Sequence, residues 1–195
     1  TPGLIFEGLL LYPPEDGWPQ TLAFFAETRD GLADAGLSPR IVSTGGTPNL
    51  ANLGQLQGAT EHRSGTFIFN DKMMLSQGAA TLEELALHVV ATVVSRAEED
   101  RGILDAGSKT LTSDTAGLPG HGLIREYPDG EIASLSEEHG MMDLSRSERR
   151  PEVGEVVTIV PNHVCVAVNM VDRLIAVKGQ EIVGPIPVDA RGRLN

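Results

Sequence analysis

The chain has 195 residues, of which 41% are hydrophobic and 22% charged, a balance typical of a globular protein with one domain or two small ones. This balance excludes disordered, collagen-like and coiled-coil proteins, and no apolar run is long enough for a transmembrane helix. With 27 acidic and 15 basic residues the net charge is −12, so we expect neither nucleic acid nor a membrane as a partner. The single cysteine, Cys165, has no intramolecular disulfide partner, which favours the reducing cytoplasm.

The first part of the chain, residues 1–80, alternates predicted strands and helices. Residues 4–12 form a nearly continuous apolar run, which is typical of a strand buried on both faces of a parallel sheet. The apolar residues of 20–37 fall on one helical face, residues 40–43 form a second strand, and a short helix is expected at 48–56. This order predicts a parallel α/β unit.

From residue 81 the pattern changes to short apolar runs that are separated by Gly, Pro and Asp turns. One or two helical turns are expected at 81–86. Strands are expected at 88–96, 102–106, 122–127, 131–136, 155–160, 163–168, 173–177 and 181–186. Short strands at this spacing predict an antiparallel barrel or sandwich, so residues 81–195 are expected to form a separate β domain.

A glycine-rich turn, Gly45-Gly46, stands between the second predicted strand and the short helix. The hydroxyls of Ser43, Thr44 and Thr47 and the backbone N–H groups of the glycines are expected to meet there, next to the positive end of the helix. Such a turn suits a dianionic phosphate. It matches neither a Walker A motif nor a dinucleotide GxGxxG, and the alternative is a strand–helix turn with a threonine cap.

His163 and Cys165 are two residues apart on a predicted strand, so both side chains are expected on one face. Imidazole and thiolate together suit zinc or another borderline metal. Structural zinc needs four ligands and the chain has no second cysteine, so an open catalytic site is the zinc site that fits. His139 is a candidate ligand or acid–base group. The alternative is a buried cysteine with an unrelated surface histidine.

A stretch rich in Gly, Ser and Thr lies between predicted strands and carries a polar cluster of Asp105, Lys109, Asp114 and His121. Such a stretch is a candidate functional loop, or an exposed loop with Asx turns. Ser113, Asp114 and His139 would suit a hydrolase triad, but no GxSxG elbow accompanies them.

Several motifs follow one another along almost the whole chain: VSTGGTP (42–48), EHRSGTFIFND (61–71), ILDAGSK (103–109), SEEHG (136–140), PNHVC (161–165) and ARGR (190–193). As a set they resemble the D-threonine aldolase and D-serine dehydratase family of pyridoxal phosphate enzymes. The resemblance implies the C-terminal part of an alanine-racemase-like (β/α)8 barrel in residues 1–80, followed by the β domain of residues 81–195. It also implies a homodimer.

The resemblance further implies the parts of an active site. The phosphate of pyridoxal 5'-phosphate would sit at Ser43–Thr47, Tyr12 would lie near the cofactor, and His163 and Cys165 would bind zinc or manganese beside the β-hydroxyl of the substrate. Tyr12 and His139 are the candidate catalytic residues. The substrate class is a small D-β-hydroxy-α-amino acid, which is either dehydrated or cleaved as an aldol. The HxC pair is the form associated with dehydratases.

Pyridoxal phosphate enzymes hold the cofactor through a lysine Schiff base. In this family the lysine precedes the segment that matches residues 4–12, and Lys72, Lys109 and Lys178 do not align with it. A few βα units cannot close a barrel or bury their sheet edges. We therefore predict that the other barrel half, with the lysine, comes from a partner chain or a nicked precursor, in agreement with a start at Thr1 instead of Met.

Two alternatives remain open at this point. One is a homologue that binds phosphate or metal without catalysis. The other is a metal hydrolase that uses His163, Cys165 and His139 with no organic cofactor.

Overall fold

The protein is seen in a computed structural model that describes residues 3–14 and 16–193. Its contacts divide the chain into two compact units. The first contains the residues up to Ile68 together with Gln77–Ala79, and the second contains Phe69–Ser76 and the residues from Ala80 onward. No helix in the described ranges is both long and apolar enough to cross a membrane.

The first unit is built on a three-stranded parallel sheet with the order β1-β2-β3. Its elements are β1 (Gly8–Leu10), α1 (Trp18–Asp34), β2 (Ile41–Gly45), a 3-10 helix (Thr47–Gln55), β3 (Glu61–Arg63) and a second 3-10 helix (Thr66–Ile68). The predicted parallel α/β unit is confirmed. The short helix expected at 48–56 forms as a 3-10 helix.

The core of the first unit lies between the sheet and α1. Trp18 and Phe25 of α1 pack with Val42 of β2 and with Leu56 in one buried cluster. A proline in the first turn of α1 suits the start of a helix, because the missing N–H would have no partner there. This packing fixes the direction of β2, and with it the position of the turn that follows.

The strand predicted at residues 4–12 is wrong in its extent and its burial. Only Gly8–Leu10 form a strand, and Leu4, Ile5, Leu10 and Tyr12 are between 70% and 85% exposed. Among the described residues, β2 is the one strand that pairs with β1, so the apolar run lies at a sheet edge. Gly8 is required for the pairing, because a Cβ there would lie 1.8 Å from the Ile41 carbonyl oxygen.

The second unit is built on a six-stranded antiparallel sheet with the order β6-β9-β4-β5-β8-β7. Its elements are α2 (Lys72–Ser76), a 3-10 helix (Leu82–Glu84), β4 (Val89–Glu98), β5 (Arg101–Leu104), α3 (Ser108–Leu111), β6 (Leu123–Ile124), β7 (Glu131–Leu135), β8 (Gly140–Asp143), β9 (Val156–Val160), α4 (Val164–Asn169), β10 (Arg173–Lys178) and β11 (Glu181–Pro187). β10 and β11 form a separate antiparallel hairpin.

The six-stranded sheet curls into a nearly closed barrel, one of the two architectures, barrel or sandwich, that the antiparallel pattern predicted. Its two end strands approach each other, and the His121 N–H donates a hydrogen bond of 3.0 Å to the Ile132 carbonyl. Side chains from all six strands or their flanking loops fill the interior, and Val93, Leu104, Ile132 and Ile159 are fully buried. Burial of this apolar surface is the main source of stability for the unit.

The strand predicted at residues 163–168 is wrong, because these residues form helix α4. The alternation of β-branched valines favours a strand, but β-propensity depends strongly on context. Here the Val164 N–H is held by the Asp71 carboxylate, and Val164 and Ala167 face the interior with helical spacing. The argument that put His163 and Cys165 on one face of a strand therefore fails. His163 is instead the N-cap residue of the helix that carries Cys165.

Candidate phosphate and metal sites

The glycine-rich turn of the first unit follows directly from β2. Ser43 and Thr44 are buried at the end of that strand, Gly46 has φ +93°, and Thr47 begins the 3-10 helix. The Oγ1 atom of Thr44 is buried without a hydrogen-bond partner among the described residues. Buried polar atoms are normally satisfied, so an orphaned hydroxyl beside an uncapped helix start is consistent with a missing ligand or water.

Tyr12 lies against this turn. A Cβ added to Gly46 would lie 3.4 Å from Cζ and 3.5 Å from Oη of Tyr12. The next residue is also tied to the turn, because the Asn49 amide donates a hydrogen bond of 3.1 Å to the Pro13 carbonyl. Tyr12 and the glycine-rich turn are therefore neighbours in the folded unit.

Arg63 is a cation beside the turn to which the sequence assigned no role. Its Nε donates to Ser43 Oγ at 2.9 Å and its Nη2 donates to the Leu11 carbonyl at 2.8 Å. Nη2 also lies 3.1 Å from the position of a Cβ on Gly45, which pairs with Arg63 in the sheet. The parallel pairing of β2 and β3 is the signal that places it there. A guanidinium at this point suits an anionic ligand.

One predicted phosphate donor is occupied. The Gly46 N–H donates a hydrogen bond of 3.0 Å to the Arg63 carbonyl, so this N–H is not available to bind a phosphate. The expectation that both glycines expose their N–H groups is wrong for Gly46. The donors that suit an anion at this turn are the Thr44 hydroxyl, the Arg63 guanidinium and the backbone at the start of the 3-10 helix.

His163 of the second unit is paired with Asp114. Its Nδ1 lies 2.7 Å from Asp114 Oδ2, and the other oxygen of Asp114 accepts the Ala116 N–H at 2.9 Å. The His163 hydrogen bond, followed by the Ala116 one, lowers the pKa of the Asp114 carboxyl below its usual range. A histidine whose one nitrogen is held by a carboxylate offers the other nitrogen to a metal, which is the usual arrangement of metal-binding histidines.

Two buried polar side chains hold the segment that ends at His163. The fully buried Asp71 carboxylate accepts the Met74 N–H at 2.9 Å and the Val164 N–H at 3.0 Å. The Asn162 amide donates to the carbonyls of Thr115 at 3.0 Å and Gly120 at 2.8 Å. The neighbours of His163 on both sides, Asn162 and Val164, therefore have fixed hydrogen-bond partners.

The loop that carries Asp114 has an unusual backbone. Thr112 has φ +66° and ψ +165°, and Ala116 has φ +51°. Such conformations cost about 1–3 kcal/mol each for residues other than glycine. The Thr112 hydroxyl accepts the Asp114 N–H at 3.2 Å, and Thr112 is buried, so the surrounding structure enforces the conformation. The loop that places Asp114 beside His163 is therefore held in a strained form.

His163 and Cys165 are two possible metal donors, fewer than the four ligands of a structural zinc site. Within residues 3–14 and 16–193, no group of three or more His, Cys, Asp and Glu side chains could hold a metal ion. Cys165 is exposed on α4, two residues after His163. A metal on these two side chains would keep positions for water or a substrate oxygen, as in catalytic zinc sites and unlike structural ones.

Comparison with known proteins agrees with the sequence motifs. Residues 86–177 match the family described as "Putative serine dehydratase domain". An uncharacterized protein of Mycobacterium tuberculosis is 36% identical over 131 residues, which are 65% of this chain and 98% of that protein. The D-threo-3-hydroxyaspartate dehydratase of Delftia sp. is 30% identical over 158 residues, 71% of this chain and 41% of that enzyme. The solved D-threonine aldolase of Filomicrobium marinum superposes with a TM-score of 0.81 at 27% identity, covering 99% of this chain and 56% of that one.

The chain belongs to the D-threonine aldolase and D-serine dehydratase family. It spans about two fifths of the length of the Delftia dehydratase, and it corresponds to the C-terminal portion of the family's enzymes. These enzymes have the alanine-racemase-like fold of type III. The nearly closed antiparallel barrel of the second unit is consistent with their C-terminal domain.

The remaining candidate residues have hydrogen-bond partners other than one another. His139 is in the turn between β7 and β8, where its backbone pairs with Ser136, and the hydrogen bond of His163 goes to Asp114 instead. The members of the predicted polar cluster likewise contact different partners. Asp105 accepts the Thr92 N–H, and Lys109 is paired with Glu138 at 2.6 Å, which raises the pKa of Lys109.

Lys72 is the most buried lysine among the residues that the structure describes. Its Nζ donates to the carbonyls of Pro119 at 2.8 Å and Gly122 at 3.1 Å. Burial lowers the pKa of Lys72, while Glu131 opposes that effect. The pKa of His121 is also lowered, mainly by burial and to a smaller extent by the positive charge of Lys72. Lys72 thus stabilises the loop that precedes β6 by hydrogen bonds to two of its carbonyls.

The Asp71 carboxylate is expected to be the most important polar contributor to the stability of this region. Asp71→Ala leaves two buried N–H groups without an acceptor, so we expect a loss of about 2–5 kcal/mol in the free energy of unfolding. The matched control is Asp143→Ala, which removes an exposed aspartate that accepts the Ser145 N–H and should cost less than about 1 kcal/mol. Urea unfolding followed by far-UV circular dichroism measures both, and equal losses would contradict the assignment.

Proposed function

We propose that the chain is part of a lyase that depends on pyridoxal phosphate and a divalent metal and acts on small D-β-hydroxy-α-amino acids by dehydration or aldol cleavage. The observation that carries the proposal is the His163–Asp114 pair, which lies at the HxC motif and prepares one imidazole nitrogen for a metal. Cys165 would supply the second protein ligand. Zinc and manganese are the candidate metals.

A relative supports the metal assignment. A D-threo-3-hydroxyaspartate dehydratase has been solved as a histidine-to-alanine variant and as a cysteine-to-alanine variant, and the cysteine variant is described as being in the metal-free form. The two substituted residues are two positions apart in that enzyme, like His163 and Cys165 in this chain. The HxC pair of His163 and Cys165 is the form associated with dehydratases, so dehydration is the first activity to assay.

The glycine-rich turn of the first unit is the proposed phosphate site. Arg63 brings positive charge to it, Thr44 contributes a buried hydroxyl, and the ring of Tyr12 lies beside Gly46. Ser43 would act indirectly, because its hydroxyl holds the Arg63 side chain. Thr47 would contribute the backbone at the start of the 3-10 helix.

In this enzyme the bound cofactor would supply an electron sink at Cα and the metal a Lewis acid at the β-oxygen. The residues of the chain would then orient these groups. His163 and Cys165 would hold the metal, Asp114 would hold His163, and the phosphate turn with Tyr12 would fix one end of the cofactor. His139 is proposed as an acid–base residue, and its exposed position in a hairpin turn leaves its ring open to solvent and ligands.

We further propose that another barrel segment completes the first unit and carries the Schiff-base lysine. The exposed residues Leu4, Ile5 and Leu10 at the edge of β1 are an apolar surface that such a segment would cover. Lys72 and Lys109 are already engaged by carbonyl and carboxylate groups. In this proposal the first unit belongs to the barrel, the second unit, which includes Phe69–Ser76, forms the C-terminal domain, and the whole enzyme is a cytoplasmic homodimer.

A homologue that binds ligands without catalysis is the second candidate, and one observation favours it. The matched region covers 98% of the Mycobacterium tuberculosis protein, so a relative exists that is little longer than the matched segment. Such a protein would bind the metal or the phosphate but would not turn over a D-amino acid. Intact mass and N-terminal sequencing of every chain in the native preparation would distinguish the two.

The metal assignment predicts that His163→Ala and Cys165→Ser each remove most of the bound metal. Both changes delete a proposed ligand, so zinc or manganese measured per chain after dialysis should fall well below one equivalent. His139→Ala is the matched control and should retain the metal, while it lowers the turnover of D-serine, D-threonine or D-3-hydroxyaspartate. Unchanged metal content in the Cys165 variant would remove Cys165 from the site.

The phosphate assignment predicts a difference between two glycines with the same backbone strain. Gly46→Ala and Gly58→Ala both place a side chain at a φ near +90°, since their φ values are +93° and +92°. Only the Cβ at Gly46 would meet Tyr12, because Gly58 has open space around it. We expect the two variants to lose similar stability, about 1–3 kcal/mol.

Pyridoxal phosphate binding to the complete enzyme should weaken only in the Gly46 variant. Equilibrium dialysis, with the visible absorption band of the bound cofactor as a second readout, measures this difference. Equal cofactor affinity in the two variants would show that the turn does not hold the phosphate.

A further inference from the structure

We propose that Asp114 is the positioning residue of the metal centre: it fixes His163 as the tautomer with hydrogen on Nδ1, so that Nε2 is the nitrogen that binds the metal. This role rests on the proposed metal-dependent function. An ionised carboxylate only accepts hydrogen bonds, so the contact of 2.7 Å between its Oδ2 and Nδ1 requires hydrogen on Nδ1. The neutral imidazole then has its lone pair on Nε2.

The carboxylate cannot readily turn away from the histidine. Its second oxygen accepts the Ala116 N–H at 2.9 Å, and its own backbone N–H is held by the Thr112 hydroxyl at 3.2 Å. His163 is half-buried, with 25% of its side chain exposed, whereas 41% of the Asp114 side chain is exposed. Water therefore reaches the hydrogen bond from the Asp114 side, and its geometry depends on the two further contacts of Asp114.

The partner of Asp114 is fixed by the same loop. Asn162, which immediately precedes His163, is buried and donates to carbonyls of Thr115 and Gly120 on the loop that carries Asp114. The two segments that carry Asp114 and His163 are thus joined by hydrogen bonds other than the one between these two residues. Because these hydrogen bonds fix both side chains, Asp114 is well placed to set the orientation of the His163 ring.

Asp114 acts through His163 and is not itself an additional metal ligand. Both of its oxygens are engaged, and no metal-binding group of three acidic, cysteine or histidine side chains occurs in the described ranges. Carboxylates that hold a ligating histidine fix its tautomer and make its free nitrogen more basic. Loss of such a partner weakens metal binding without removing a ligand.

Asp114→Asn tests this role with almost no change in size. The amide oxygen can still accept the Ala116 N–H, whereas the amide NH2 then faces Nδ1 and donates to it. The variant should therefore shift His163 to the tautomer with hydrogen on Nε2, the nitrogen proposed for the metal. Asp114→Glu restores a carboxylate and should partly restore the original tautomer. Asp143→Asn, at an exposed aspartate that holds the Ser145 N–H, is the matched control.

Two measurements on the full chain give the answer. In the metal-free protein, 15N NMR of histidine should show hydrogen on Nδ1 of His163 in the parent and control proteins and on Nε2 in Asp114→Asn. Zinc titration should show an affinity about 10–100-fold lower in Asp114→Asn than in the control.

The outcomes separate this proposal from the function on which it rests. An unchanged tautomer in Asp114→Asn, or an unchanged zinc affinity in a protein that binds zinc, would overturn the role of Asp114 alone. A parent protein with hydrogen on Nδ1 that binds no zinc or manganese would overturn the proposed metal-dependent function as well. Circular dichroism spectra that match the parent would show that the variants fold.

Discussion

The position of His163 depends on buried hydrogen bonds from Asp71 and Asn162, which join three separated stretches of the second unit. The Asp71 carboxylate accepts a hydrogen bond from the backbone N–H of Val164, the residue after His163. The side-chain amide of Asn162, the residue before His163, donates to carbonyls in the loop of residues 115–120. An unpaired buried polar group is costly, so loss of Asp71 or Asn162 is expected to destabilise the stretches that it joins. The chain thereby turns at the end of β9 into a helix instead of continuing as a strand.

This constraint links the fold to the chemistry. The barrel interior requires only apolar side chains, and it leaves the connections after β5 and β9 available for polar residues. Those two connections carry Asp114 and His163, and the hydrogen bond between them prepares a nitrogen for a metal. The first unit makes a separate contribution, because its parallel sheet ends in a turn where Arg63 and Thr44 suit an anion.

The general organisation was predictable from the sequence because it follows from periodicity. A helical pattern between two apolar strands predicted the parallel unit, and short β-branched runs between turns predicted the antiparallel barrel. The error at residues 163–168 arose because the valine pattern was judged without the distant Asp71, whose carboxylate holds the Val164 N–H. β8 (Gly140–Asp143) was missed because Gly-Met-Met-Asp has a weak strand preference, and its pairing with β5 decides its conformation.

The candidate sites were predictable to different degrees for similar reasons. The Ser43–Thr47 turn and Tyr12 were both implied by the family resemblance, and Tyr12 lies beside Gly46 in the structure. Arg63 was missed because only the pairing of β2 with β3 brings it to Gly45. Asp114 was recognised as part of a polar loop, but its partner is 49 positions away in the sequence, and no local pattern identifies such a pair.

The most direct test of a metal centre on His163 is X-ray anomalous scattering from crystals of the complete enzyme soaked with zinc. We predict one strong peak about 2.0–2.1 Å from Nε2 of His163 and about 2.3 Å from Sγ of Cys165, with Asp114 still bonded to Nδ1. A peak on Nδ1, a peak at a site without His163, or no peak at all would contradict the proposed centre.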